Sequence, residues 1–143
     1  MDEERILSEL EEIVDEIRRF RGKGKKAIEY LALHIKDKHE SYLKIEKQED
    51  LQDLQMTLQF FGIRVLVKAE IPLRSPLGKE EIIGKLTAYR LPEGKEDEQE
   101  PLALSYDFDE SGNIKENLNI HTFPIYFVKE LVDKLIAKKI PIS

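Results

Sequence analysis

The hydrophobic pattern of the chain changes at residues 63–71, which read Ile63-Arg64-Val65-Leu66-Val67-Lys68-Ala69-Glu70-Ile71. Apolar side chains stand at every second position, and three of the four residues between them are charged. A period of two places one set of side chains on a core and the other on the opposite face of a sheet. This stretch therefore predicts a half-buried β-strand, and it separates a helical first half from a β-rich second half.

Three more strands are predicted after this one. Residues 72–79 contain two prolines and a glycine and should turn the chain into a second strand at 81–91. A polar loop at 92–101 carries five acidic residues and one Lys. The third and fourth strands are predicted at 102–109 and 113–121.

The last two strands are expected to form a hairpin. Asp109-Glu110-Ser111-Gly112 has Asp at the first position of a type I turn and Gly where a positive φ is wanted. This turn predicts the following cross-strand pairs: Asp109 with Asn113, Phe108 with Ile114, Tyr106 with Glu116, Leu104 with Leu118 and Leu102 with Ile120.

Helical periods dominate the chain before residue 62. The first twenty residues predict a helix that Gly22 ends, and the basic, glycine-containing segment 21–26 predicts a hinge. A second helix is predicted at about 25–38, and residues 39–48 fit either a helix or a short strand. Leucines at 51, 54 and 58 predict a third helix from about 48 to 61, although a strand beginning at Met56 is the alternative.

The last helix is predicted to begin at Thr122 and Pro124 and to end before Pro141. Together these elements predict an α+β fold with two or three N-terminal helices, a four-stranded antiparallel meander and a C-terminal helix packed on the sheet. We expect one domain over 1–143, with a helical part at about 1–61 and the sheet and last helix at about 62–143.

Composition limits the classes of function. The 143 residues are 41% hydrophobic, which is enough for a core and argues against intrinsic disorder. There is no Cys, which excludes disulfide scaffolds, cysteine nucleophiles and iron–sulfur clusters. No apolar run has the length of a membrane span, and the first five residues do not resemble a signal peptide, so we expect a soluble, cytoplasmic protein. The excess of Glu over Asp and of Lys over Arg also occurs in thermophile proteins, as well as on charged mesophile surfaces.

Two features of the N-terminal region are candidate binding surfaces. Apolar residues at heptad spacing (Ile6, Leu10, Ile13 and Ile17) predict either packing on the chain's own core or self-association. A basic cluster could bind phosphate or nucleic acid, with the two glycines admitting backbone N–H groups to the phosphates. Its members are Arg18, Arg19, Arg21, Lys23, Lys25 and Lys26.

The sheet supplies two further candidate sites. Leu66 and Tyr89 lie among polar residues on the predicted outer face, which could recognise a partner if the helices all cover the other face. Residues 107–114 partly match an EF-hand calcium loop, but Leu118 stands where that loop requires Glu. Asp107, Asp109 and His121 could instead serve a small metal-dependent hydrolase.

No catalytic constellation, metal site or cofactor motif is completed by the sequence. We therefore expect a non-catalytic interaction module that binds a protein partner or a second copy of itself through the first helix or the open sheet face. Nucleic-acid or phosphate binding through residues 18–26 is the alternative, and a metal-dependent hydrolase around residues 105–121 is a second alternative.

Overall fold

The computed structural model describes residues 2–47, 54–71, 84–94, 98–109, 111–114 and 118–138. Along the chain it has a long helix, five strands and a second helix. These are α1 (Glu3–Lys38), β1 (Leu43–Lys47), β2 (Gln55–Phe60), β3 (Ile63–Glu70), β4 (Gly84–Leu91), β5 (Glu100–Phe108) and α2 (Phe123–Ala137). The strands form one antiparallel sheet whose order follows the chain. The predicted α+β class and the C-terminal helix packed on an antiparallel sheet are confirmed.

The prediction of two or three N-terminal helices is wrong, because α1 runs for 36 residues through the predicted hinge at 21–26. Gly24 is buried there, and a Cβ on it would lie 2.9 Å from the Cβ of Ala69 and 3.3 Å from Cζ of Phe108. The glycine lets the helix approach the sheet closely and does not end the helix. Its cost of about 1 kcal/mol relative to alanine is small beside the packing that it permits.

The predicted third helix is wrong wherever the structure describes it, because residues 55–60 form β2; residues 48–53 lie outside the described ranges. Burial alternates along β2, with Met56, Leu58 and Phe60 buried. Residues 61 and 62 have φ values of 45° and 84° and connect β2 to β3 in a two-residue turn. Gly62 therefore closes a hairpin instead of capping a helix.

The stretch at 39–48, for which helix and strand were both open, contains β1. Its main-chain groups pair with β2 from Leu43 opposite Phe60 onward, so β1 and β2 add two strands to the edge next to β3. The described residues thus contain five strands where the whole chain was predicted to have four, and two of the five lie in the part that was expected to be helical.

The second half of the chain follows the prediction as far as residue 114. β3, β4 and β5 confirm the strands predicted at 63–71, 81–91 and 102–109 over their described residues. Phe108 pairs with Ile114 as predicted. The predicted strand is wrong at 118–121, which do not pair with β5, and residues 115–117 lie outside the described ranges. The Ile114 N–H donates to the Leu118 carbonyl at 2.6 Å, so Leu118 pairs with Ile114 and not, as predicted, with Leu104 of β5.

Both helices cover the same face of the sheet. α1 packs against β1, β3 and β4, α2 packs against β5, and the two helices contact each other. On β5 the Tyr106 ring lies 5.4 Å from the ring of Phe127, and the Tyr106 hydroxyl donates to Glu130 Oε1 at 2.9 Å. One buried cluster joins the helices and the inner sheet face, and it begins along α1 only at Phe20.

Candidate interaction surface on helix α1

The N-terminal half of α1 is a helical arm, which we define as residues 3–19. Its start is well capped, because the Asp2 carboxylate accepts a hydrogen bond from the Glu4 N–H at 3.1 Å. Glu3 in the first turn also complements the positive end of the helix. Every residue from Asp2 to Glu12 is exposed, and at 1.5 Å per residue the arm is about 25 Å long.

An apolar stripe runs along this arm and comprises Ile6, Leu7, Leu10, Ile13, Val14 and Ile17. The exposed fractions are 40% for Ile6, 53% for Leu7, 50% for Leu10 and 42% for Val14. Large aliphatic side chains this exposed are normal singly, but here they are adjacent on one helix, one and two turns apart. Three of them also border an open hollow of about 380 Å³, whose lining comprises Leu7, Leu10, Glu11, Val14, Asp15 and Arg18.

The stripe lies on the same side of α1 as the residues that pack into the core. Ile6 and Ile13 are followed at the same seven-residue spacing by Phe20, which is 2% exposed. Residues seven apart lie two turns apart on nearly the same side of a helix. The core-facing side of α1 therefore continues outward along the arm, where its apolar residues are exposed or half-buried.

All four α1 residues predicted to form an interface lie in this stripe. Ile6 and Leu10 are exposed, whereas Ile13 and Ile17 are half-buried. The sequence placed them on one helix face, but it left open whether the domain itself covers that face. Among the described residues of α1, the first fully buried one is Phe20, which follows the stripe.

The basic cluster lies on the continuous helix and not on a loop. Five of its side chains are exposed, and Lys23 is half-buried near the turn that contains Gly112. Arg18 forms an ion pair with Asp15, with Nη1 to Oδ1 at 3.5 Å. The expected phosphate cradle is wrong, because Gly22 and Gly24 are interior to the helix and helical N–H groups there donate to carbonyls one turn earlier. Any phosphate contact at this cluster must come from its side chains.

The outer sheet face presents less apolar surface than expected. Leu66, one of its two predicted contact residues, is only 7% exposed. Tyr89 is half-buried; its hydroxyl donates to Glu70 Oε1 at 2.9 Å, and Lys68 Nζ lies 5.1 Å from its ring centre. Lys68 Nζ also donates to Gln99 Oε1 at 2.6 Å. These contacts favour the arm over the sheet face as the larger exposed apolar surface.

The residues of the predicted hydrolase site do not form a group of metal ligands among the residues that the structure describes. Asp109 Oδ1 accepts hydrogen bonds from the N–H groups of Ser111 at 2.9 Å and Asn113 at 3.0 Å, so it stabilises the turn. Asp107 is exposed on β5, and His121 lies in the turn before α2, where its ring is 4.5 Å from the ring of Tyr30. No three His, Asp or Glu side chains in the described part of the chain are grouped as metal ligands.

The structure brings together two histidines that sequence spacing kept apart. α1 ends at Lys38, and His39 turns back so that its Nε2 lies 2.9 Å from Nε2 of His34, while its Nδ1 bonds the Tyr42 hydroxyl. Burial lowers the pKa of both imidazoles, and the nearby His34 lowers the pKa of His39 further. Five-residue spacing on one helix does not bring side chains together, so the pair depends on the helix ending between them.

Comparisons of the chain with models of protein families, with curated proteins and with solved structures found no match. In the part of the chain that the structure describes, neither α1 nor α2 has the length and apolar character needed to cross a bilayer. We therefore infer the function from the exposed surfaces of the chain itself.

Proposed function

We propose that the chain is a non-catalytic self-association module whose arm pairs with the arm of a second copy. The observation that carries this proposal is the exposed apolar stripe on residues 6–17 of a helix that extends beyond the buried cluster. Pairing removes this stripe from water on both copies at once, which is the dominant favourable term in most protein association.

The spacing of the stripe supports a helix as the occupant. Its core residues are spaced alternately by four and three positions, which is the spacing at which one helix packs along another. They are Ile6, Leu10, Ile13 and Ile17. Leu7 and Val14 widen the stripe on one flank. A second copy of the same arm offers a complementary surface of equal length without requiring any other protein.

The arm also gains order from a partner. A helix of about seventeen residues without tertiary contacts is marginal in water, because its stability in proteins comes mostly from packing an amphipathic face. Pairing supplies that packing. Self-association should therefore increase both the helicity and the protection of the arm.

The test is the molar mass of the full chain by light scattering over a series of concentrations in the micromolar range. We expect the wild type to shift from monomer towards dimer as the concentration rises and Leu10→Asp to remain monomeric. Leu33→Asp is the matched control, because Leu33 lies on the same helix and is 63% exposed but stands outside the stripe. It should associate as the wild type does.

Two results would contradict self-association through the arm. A wild type that is monomeric at every concentration excludes association altogether. A Leu10→Asp variant whose monomer unfolds at a clearly lower temperature than the Leu33→Asp monomer would show that the stripe packs within its own chain.

Polyanion binding by the basic cluster is a second candidate function. Six basic residues and no acidic residue stand between Arg18 and Lys26, and most of these side chains are exposed on the helix. Such binding should weaken steeply with salt. Fluorescence anisotropy with a labelled single-stranded oligonucleotide tests it: we expect binding that Lys25→Glu together with Lys26→Glu abolishes, and salt-independent or absent binding contradicts it.

A further inference from the structure

The charges of α1 are separated along its length. Between Asp2 and Glu16 there are eight acidic residues and one Arg, whereas the basic cluster that follows has six cations and no acid. Because α1 is continuous, this separation lies along a single helix. The N-cap and first part of α1, residues 2–16, are therefore acidic and are called the acidic tip; the basic cluster begins two residues after it.

We infer that two copies pair with their arms antiparallel, an inference that rests on the proposed self-association. In this arrangement the first acidic residues of each tip, at 2–4, lie beside Arg18, Arg19 and Arg21 of the other copy. In a parallel pair, tip would face tip and cluster would face cluster, so like charges would meet at both ends.

The apolar stripe fits the antiparallel arrangement in one register. A heptad has two core positions, a and d. In an antiparallel pair of helices, an a residue of one helix lies opposite a d residue of the other. Ile6 then packs against Ile17 of the second copy, and Leu10 packs against Ile13 of the second copy. The four layers use only residues of the stripe, and they leave the two folded domains at opposite ends of the paired arms.

This register has one unfavourable feature. Glu9 of one copy and Glu16 of the other flank the seam on the same side, so two pairs of like charges lie near its centre. A parallel pair would instead bring Glu16 near Arg21. We favour the antiparallel pair because at each end it places three acidic residues (2–4) beside three arginines (Arg18, Arg19 and Arg21) instead of beside like charges.

The absence of Cys from the chain allows a direct test with introduced cysteines. We would prepare Ile6→Cys and Ile17→Cys in the full chain, give one variant a mass label, and oxidise each variant alone and the two mixed. In the antiparallel register, residue 6 of one copy meets residue 17 of the other, whereas the two copies of residue 6 are about 16 Å apart along the axis.

We expect the mixture to form the labelled–unlabelled disulfide and each variant alone to form little. Disulfides formed by each variant alone would overturn the antiparallel orientation but retain self-association. A dimer by light scattering with no disulfide in any sample would overturn pairing through this seam. No disulfide and a monomer at every concentration would overturn the proposed function itself.

The wild type provides a second test that needs no substitution. Raising sodium chloride to about 1 M shortens the screening length to about 3 Å. Attraction between opposite charges predicts that dimer affinity falls severalfold, whereas a parallel pair should gain affinity when its repulsion is screened. An affinity that rises with salt therefore contradicts the antiparallel arrangement.

Discussion

The ring of Phe108 occupies space that a side chain at either of two glycines would need. Phe108 is 1% exposed, lies opposite Gly84 in the pairing of β4 with β5, and also lies beside Gly24 of α1. A Cβ at Gly84 would collide with the ring, and a Cβ at Gly24 would lie 3.3 Å from the ring and 2.9 Å from the Cβ of Ala69. The sequence shows both glycines, but only the packing of α1 on the sheet shows why they are needed, because the three residues are distant along the chain.

We predict that Gly24→Ala lowers the free energy of unfolding by about 1–3 kcal/mol, as expected when a methyl group is forced into a packed interior. The gain in helix propensity offsets only part of this loss. Denaturant unfolding followed by circular dichroism measures the effect. An unchanged or increased stability would show that α1 does not approach Ala69 and Phe108 this closely.

The histidine pair predicts a pH dependence of stability. The pKa values of His34 and His39 are lower in the folded chain than the unfolded value of about 6.5, chiefly because of burial. Above that pH both imidazoles are neutral in the folded and in the unfolded chain, so protonation of the pair does not reduce the free energy of unfolding. As the pH falls below it, the unfolded chain takes up protons that the folded chain binds less readily, so stability is lost.

We therefore expect the free energy of unfolding to decrease between about pH 7 and about pH 5, and the decrease to be smaller in His39→Gln. His121→Gln serves as the matched control, because His121 is exposed and outside the pair. Urea titrations at each pH supply the measurement. A decrease of the same size in the His39→Gln variant would assign the dependence to other groups.

At the scale of elements, the largest difference between prediction and structure is the continuity of α1. Local composition at residues 21–26 resembles a hinge, since glycines and lysines are common in surface loops. Helix continuity is set instead by packing on both sides of this segment, from Phe20 to Ile35. Long-range contacts of this kind leave no local signal in a single sequence.

Gly22 provides a direct test of that continuity. It is exposed inside α1, and a Cβ there would have no heavy atom within 4 Å outside its local surroundings. Gly22→Ala should raise the free energy of unfolding by about 0.5–1 kcal/mol, because alanine is the better helix former and has less freedom to lose. Thermal unfolding compares it with Gly24→Ala; a decrease for both variants would contradict a helix that passes through the segment.

The strands illustrate what the sequence can and cannot specify. β3 and β5 were predictable because apolar residues stand at every second position, from 63 to 69 in β3 and from 102 to 108 in β5. Leu58 of β2 fits a helical period with Leu51 and Leu54 and a period of two with Met56 and Phe60. The pairing of β2 with β1 and β3 resolves the ambiguity. Leu118 was predicted to pair with Leu104 of β5, but it pairs with Ile114 instead, a choice between partners that the alternating pattern does not determine.

At the scale of the whole molecule, the C-terminal half of α1 packs on the sheet, whereas its N-terminal half, the arm, extends beyond the buried cluster. The candidate surface was partly predictable, since heptad spacing identified Ile6, Leu10, Ile13 and Ile17 as one helix face. Which part of α1 the sheet covers was not predictable, because it depends on where α1 crosses the strands. That boundary, near Phe20, separates the core-forming half of α1 from the half that we propose to pair.

The most direct measurement of the central claim is amide hydrogen exchange of the wild-type chain at two protein concentrations. Self-association through the arm predicts that amides of residues 6–17 exchange more slowly at the higher concentration, while those of α2 exchange equally at both. The comparison with α2 corrects for changes in global stability. Equal exchange of residues 6–17 at concentrations below and above the transition in molar mass would contradict pairing through the arm.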